Sequence, residues 1–457
     1  MWCRFLLLLV LVSPSGLLAQ VELPEHVIAL SRIKGRMQQS LDHIPNYICR
    51  QTIERARLTK TAVRRIEKRL ERRGEPRTEA SFPLESSDTV QVDLAYVDGG
   101  ELYSWPGAEA FEDRSLAEMV GFGNLSAGIF AATAHNLFAT HAALFEFAGR
   151  GDAGGRALLR FDFRVGLMQS GFVLSDATGQ EAEVPYGGSI WADPRTFDLV
   201  RIETHAREIP AYLEIVSAVS RIDYQSVEIN GENFLIPMTA HETTNLKSGA
   251  ENHNRTAFSD CRRFGASSEI SFGAEDALEN DQPIRWDDIE LPVGVSLAIR
   301  LTSEIDSGKS KIGDRVEGVL ESDARHDGEI VAPKDAVVLG RIRRLERYSS
   351  SAPYYTLGIA LSEVRFDGKR ARFTGRMTRM LRVPGIAFGG PSGGSTSSVD
   401  VLTSGQVPRR IERSEIENYT DFNLPGVSVV SIQGGRFHIG PGWRMTWETV
   451  ASEPEGQ

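Results

Sequence analysis

Apolar residues Leu30, Ile33, Met37 and Leu41 recur at helical spacing after Pro24, which predicts an amphipathic helix ending near Pro45. From Asn46 the period changes. Runs rich in Val, Ile, Leu, Phe and Thr, punctuated by Gly, Asp and Asn, predict strands over 90–97, 158–165, 171–175, 189–192, 199–206, 218–229 and 234–244. In 199–205 the alternation puts Val200, Ile202 and Thr204 on one side, as expected of a strand with one buried and one wet face. The Ala-, Leu- and Phe-rich stretch 116–147 predicts one or two apolar helices packed on the sheet, ended by the Gly/Asp-rich turn 149–155.

Residues 267–288 break this pattern. They carry Glu269, Glu275, Asp276, Glu279, Asp281, Asp287 and Asp288 and are interrupted by Gly273, Asn280 and Pro283, a linker composition. Strand patterns resume over 296–302, 315–322, 330–331, 336–345, 355–365, 370–378 and 427–432, with a hairpin signal at Asp367-Gly368 and a Gly/Ser-rich loop at 389–403. The expected organisation is a signal at 1–19, a β-rich domain at 20–266 opened by its helix, the linker at 267–288, a second β domain at 289–450 and a tail at 451–457.

The first residues read as a secretory signal: Arg4, an apolar run over 5–12, the breaker Ser13-Pro14-Ser15-Gly16 and a small residue at Ala19. That run is too short for a permanent membrane helix and no later segment approaches the needed length, so the mature chain is expected to lack a transmembrane segment. Cys3 lies inside the signal, where it cannot accept a lipid after cleavage. The implied location is exported, periplasmic or extracellular, with association to the outer membrane as a narrower version. Two cysteines remain, Cys49 and Cys261. In an oxidising compartment, near opposite ends of one domain and without metal-ligand spacing, they are expected to form a disulfide.

A net charge of -11 argues against nucleic acid as a partner. The exception to the acidic balance is 55–73, where Arg55, Arg57, Lys60, Arg64, Arg65, Lys68, Arg69, Arg72 and Arg73 face only Glu67 and Glu71. Such a run reads first as a solvated extension and second as a contact for acidic lipid headgroups or polysaccharide.

Two resemblances bear on the fold. The run Val184-Pro-Tyr-Gly-Gly-Ser-Ile-Trp-Ala-Asp-Pro-Arg-Thr-Phe-Asp-Leu-Val-Arg-Ile-Glu, with Ile222-Asp-Tyr-Gln-Ser-Val-Glu-Ile-Asn-Gly-Glu-Asn-Phe-Leu-Ile-Pro, resembles uncharacterised exported bacterial proteins and the lipoprotein-carrier, LolA-like half-barrel. Over 46–272 this implies a curved antiparallel sheet wrapping helices. In the second domain, Leu291-Pro-Val-Gly-Val-Ser-Leu-Ala-Ile-Arg-Leu, Gly313-Asp-Arg-Val and Ile330-Val-Ala-Pro-Lys-Asp-Ala-Val-Val-Leu-Gly-Arg are similar to the β-barrel domain of TrbI-like envelope proteins. Asp335 replaces a usual Gly, and that family's membrane helix and Pro-rich spacer are missing. The expected fold is therefore mainly β with a few helices, an antiparallel half-barrel wrapping helices followed by a second small β-barrel.

Motifs for chemistry fail on spacing or context. Ser303-Glu-Ile-Asp-Ser-Gly308-Lys309-Ser310 lacks the first Gly of a P-loop and leads into a turn and a strand, whereas phosphate cradling needs a helix N-terminus. His241-Glu242 has no second His four residues on, so no zinc pair shares a face. His135 and His141 lie on different sides of a helix, Gly121–Gly128 misses the dinucleotide fingerprint, and no Gly-x-Ser-x-Gly elbow occurs. No catalytic residue, cofactor or metal is expected.

Aromatic residues Tyr96, Tyr103, Trp105, Phe122, Phe130, Phe138 and Phe145 cluster where helix and sheet are expected to meet, as core or as the lining for a lipid or other apolar ligand. The leading expectation is a non-enzymatic envelope protein that binds an apolar ligand in its first domain and contacts a partner protein through its second. The alternatives are a secreted hydrolase with a site between the domains and a purely structural interaction protein. Convergent His and carboxylates at the junction would mark the hydrolase, and an apolar cavity the ligand-binding protein.

Overall fold

The computed structural model describes residues 23–43, 47–59, 72, 85–97, 100–121, 123–152, 155–229, 232–263, 286–349, 353–381, 386–388, 419–420 and 426–451. The expected signal, most of the basic run 55–73, the linker up to 285, the loop 389–403 and all but the first residue of the tail lie outside the described residues.

Among the described residues the main sheet has 21 strands. In the first half these are β1 (Tyr47–Leu58), β2 (Ser86–Val97), β3 (Gly100–Ser104), β4 (Ala143–Asp152), β5 (Ala157–Val165), β6 (Tyr186–Ala192), β7 (Leu199–Ala206), β8 (Ile215–Ile229), β9 (Glu232–Leu246) and β10 (Glu251–Arg263). The second half adds β11 (Asp287–Glu290), β12 (Ser296–Leu301), β13 (Arg315–Leu320), β14 (Val337–Tyr348), β15 (Tyr354–Phe366), β16 (Lys369–Arg372), β17 (Thr374–Met380), β18 (Ala387–Phe388), β19 (Tyr419–Thr420), β20 (Ser428–Gln433) and β21 (Arg444–Val450). Three helices are described in the first half: α1 (Glu25–His43), α2 (Leu116–Val120) and α3 (Ala132–Phe138). None is long and apolar enough to cross a membrane.

The first half is an antiparallel run in the order β3-β2-β1-β10-β9-β8-β7-β6-β5-β4. The second runs β17-β21-β12-β13-β14-β15, and β15 then splits its partners between β16 and β20. The runs join where β14 pairs with the start of β2, Arg347 opposite Ser87 and Tyr348 opposite Ser86. Ile312 extends the join by donating to Thr89 O and accepting from Gln91 N at 2.9 and 2.8 Å.

The chain is mostly β with few helices, but no sheet among the described residues closes into a barrel. Both the expected half-barrel and the expected small barrel are corrected to one open sheet. Closure needs a hydrogen-bonded ladder between first and last strands. In the first run the end strands β3 and β4 do not pair, and residues 105–142 with α2 and α3 intervene. In the second run β17 pairs, among the described residues, with β21 alone, and its Met377 N–H reaches β20 through the Ser428 side chain, not through a backbone ladder.

α1 buries Ala29, Ile33, Met37 and Leu41 against the inner face of the first run, close to the predicted stripe. α2 is closed by a reciprocal Ser115–Glu118 capping box and ends at Gly121 in the left-handed region, φ 83°. The stretch expected to be helical to 147 turns at His141, φ 57°, and continues as β4. Phe145 then stacks on Phe138 at 5.9 Å, so one apolar run serves a helix and a strand that pack on each other. Cys49 in β1 and Cys261 in β10 are joined by a disulfide across adjacent strands, Cα to Cα 4.1 Å. A single core continues from Ile33 and Phe130 in the first half to Leu357 and Trp447 in the second.

Candidate functional site

In β5, alternation sends Leu159, Phe161, Phe163 and Val165 into the core and leaves Arg160, Asp162 and Arg164 on the opposite, outer face. A register shift between Trp191 and Ala192 gives the core position expected of Val200 to Leu199, while Ile202 and Thr204 point inward as predicted. Arg201, Glu203 and His205 therefore face outward.

Register aligns these outer side chains in rows across the sheet. One row runs Leu144, Arg164, Gly187, His205, Val219, Thr243 over β4 to β9. The next runs Asp162, Ser189, Glu203, Arg221, His241, and a third runs Arg160, Trp191, Arg201, Asp223. A cavity of about 810 Å³ opens here, lined by members of all three rows together with Arg207.

The charges in the second and third rows satisfy one another. Arg160 Nε donates to Asp162 Oδ1 at 2.9 Å and its guanidinium lies 5.4 Å from the Trp191 ring centre. Ser189 Oγ donates to the same Asp162 oxygen at 2.6 Å, and Trp191 Nε1 donates to Glu203 at 3.3 Å. Arg201 and Arg221 both donate to Asp223, at 2.7 and 2.9 Å. The first row differs. Arg164 and Arg207 are exposed and have no ion-pair partner among the described residues. Gly187 stands opposite Arg164, and there an added Cβ would lie 3.0 Å from the Phe163 carbonyl oxygen and 3.7 Å from both His205 Cε1 and Cδ of Arg207, which follows the end of β7. Arg164, opposite in register, the Arg207 side-chain stem and the His205 ring thus adjoin a position without a side chain, in a row that also carries the exposed apolar residues Leu144 and Val219.

The aromatic residues singled out from sequence lie on the other face. Tyr96, Tyr103, Trp105, Phe130 and Phe138 are buried in the main core, Phe145 packs against it from a partly buried position, and Phe122 lies outside the described residues. Their polar ends are held. Tyr103 Oη donates to Glu101 at 2.6 Å, a contact that together with burial holds the phenol far above its ordinary pKa. Glu101 also accepts from the N–H groups of Gly128, Phe130 and Ala131, which fixes the segment leading into α3.

At the junction of the two halves, Arg341 donates to the carbonyls of Pro106 and Gly313 and Arg343 to that of Met119. The Arg343 guanidinium lies over the Trp105 ring at 4.9 Å, and burial lowers both arginines to about 10. Among the described residues no group of three His, Cys, Asp or Glu side chains is placed to hold a metal ion.

No local pattern in the sequence gathers Arg164, Gly187, His205 and Arg207. The Gly187-Gly188 strand start and the wet side of 199–205 mark two of the segments, but which strands meet there follows from register alone.

No protein-family model and no curated protein matches the chain. Among solved structures it is similar to a DUF1329 family protein from Desulfovibrio piger, with TM-score 0.26 and 11% identity over 54% of this chain and 96% of that one. It is also similar to a putative outer membrane lipoprotein-sorting protein domain from Vibrio parahaemolyticus, TM-score 0.29, 9% identity, 53% and 95% covered. A LolA superfamily protein from Nitrosomonas europaea gives TM-score 0.25, 12% identity, 53% and 97% covered. The likeness is weak and partial.

Proposed function

We propose that this chain is an exported, non-enzymatic binding protein that docks a partner on the outer face of β5 to β9. One observation carries the reading: the cavity of about 810 Å³ on that face, whose walls are prearranged by mutual ion pairs and whose first row keeps unpaired polar groups beside exposed apolar ones. A polar rim around apolar contact area is the composition of a recognition surface. Photo-crosslinking from Val219 and Leu144 in the exporting host tests it. A discrete adduct from both positions, missing when the crosslinker replaces exposed Val293 in the second half, is the expected result; equal labelling from all three overturns it.

A second reading, an apolar ligand or lipid held against Tyr96, Tyr103, Trp105, Phe130, Phe138 and Phe145, is favoured by the attachment of α1. That helix lays one apolar stripe, Ala29, Ile33, Met37 and Leu41, on the inner face beside contacts such as Arg36 to Asp198 and Lys34 to Phe145, so its displacement would bare aromatic surface. Native mass spectrometry of protein purified from its own host tests this reading: co-purified lipid supports it, and a ligand-free mass sinks it.

A further inference from the structure

The outer-face charges divide unevenly. Asp162, Glu203 and Asp223 are matched by Arg160, Arg201 and Arg221, whereas Arg164 and Arg207 find no carboxylate. The unmatched pair flanks the position where Gly187 withholds a side chain, and the register row through Gly187 also carries two exposed apolar groups, Leu144 at 78% and Val219 at 45% exposure. Guanidinium groups bind carboxylates through paired, planar hydrogen bonds, and leaving two of them unneutralised, Arg164 in the row and Arg207 just beyond β7, stores unused donor capacity. We propose that the partner's docking element is an acidic protein segment, one that presents carboxylates to Arg164 and Arg207 and an apolar side chain to Leu144 or Val219.

The proposal rests on the outer-face docking reading and names its chemistry. A protein segment is favoured over an anionic membrane because the whole chain carries a net charge of -11. A broad anionic surface would meet that long-range repulsion over its full extent, while a short segment meets only the local cationic row. His205, beside Gly187 in the row, adds a donor or acceptor at the same place.

The test uses the full mature protein and a short fluorescent peptide of alternating Asp and Leu, read by anisotropy. An Asn-Leu peptide and a Lys-Leu peptide serve as uncharged and reversed probes, and phosphatidylglycerol vesicles as the membrane probe. The Asp-Leu peptide is expected to bind about tenfold or more tighter than the Asn-Leu peptide, a difference of about 1.4 kcal/mol. Arg164→Glu and Arg207→Glu, both at exposed positions, should each remove that advantage and leave Asn-Leu binding unchanged. Val219→Trp, which fills the cavity without altering charge, should weaken both peptides.

Equal affinity for the Asp-Leu and Asn-Leu peptides overturns the acidic-segment proposal. So does vesicle binding that depends on Arg164 and Arg207 when the Asp-Leu peptide does not bind. If Val219→Trp leaves every peptide unaffected, it is the docking surface itself that fails. Equal peptide affinities that Val219→Trp abolishes would spare the surface and reject only its acidic partner.

Discussion

Arg55 and Asp88 face each other between β1 and β2 as a bidentate pair, Nε to Oδ1 and Nη2 to Oδ2 both at 2.7 Å, with side chains only 6% and 5% exposed. Desolvation of two charges makes such a pair a weak net stabiliser, but removal of one partner strands the other in the core. Asp88→Ala is expected to cost about 3–5 kcal/mol, read from the urea midpoint. An Arg55→Met, Asp88→Leu double variant should recover most of that loss; a single-variant cost under about 1 kcal/mol would show that water reaches the pair.

Glu242 gives stability a pH dependence. Burial lifts its carboxyl to about 7, against hydrogen bonds from Ser126 and Asn254 that pull it down. Between its ordinary 4.5 and about 7 the folded chain keeps a proton that the unfolded chain has released. Its contribution is therefore present below the lower value, declines through the window and is lost above it, about 3 kcal/mol in all. Glu242→Gln should leave stability unchanged near about pH 4 and raise it by roughly that amount near about pH 8. Parallel pH curves for the two proteins would count against the buried carboxylate.

The disulfide closes a sequence separation of 212 residues. Alkylation of the denatured mature protein without reductant should add no label, and two after reduction. Replacing Cys49 and Cys261 by Ala should cost about 2–4 kcal/mol, less than the roughly 5 kcal/mol of the chain-entropy model.

The acidic segment at 267–288, most of it outside the described residues, is proposed as the domain linker. Limited proteolysis is expected to cut there first. The two fragments should nevertheless co-elute on size exclusion, because the β2–β14 pairing, the Ile312 bonds and the Arg341 and Arg343 contacts hold the halves together. Arg343→Ala should let nicked fragments separate at lower denaturant; early cutting inside β7 or β8 would refute the boundary.

What the sequence made legible was local. The stripe of α1, the strand character of most segments and the wet side of 199–205 follow from periodicities of 3.6 and 2, which neighbouring residues impose on one another. Whether a sheet closes depends on two strands far apart in sequence, and no local pattern encodes it. Arg55 shows the same limit: it opens the basic run, yet pairing with β2 takes it into the core opposite Asp88. Arg164, Gly187 and His205 come from three strands, and only register makes them neighbours.

Hydrogen bonding of β1 on both sides has a consequence for a chain that leaves the ribosome N-terminus first. β1 meets β2 early, but its other neighbour is β10, so this edge stays unsatisfied until residue 263 has been delivered. Contacts of such long sequence range fold slowly. The emerging chain must therefore wait through about two hundred residues with β1 half paired, a period in which a holding chaperone would find its natural binding site on that strand.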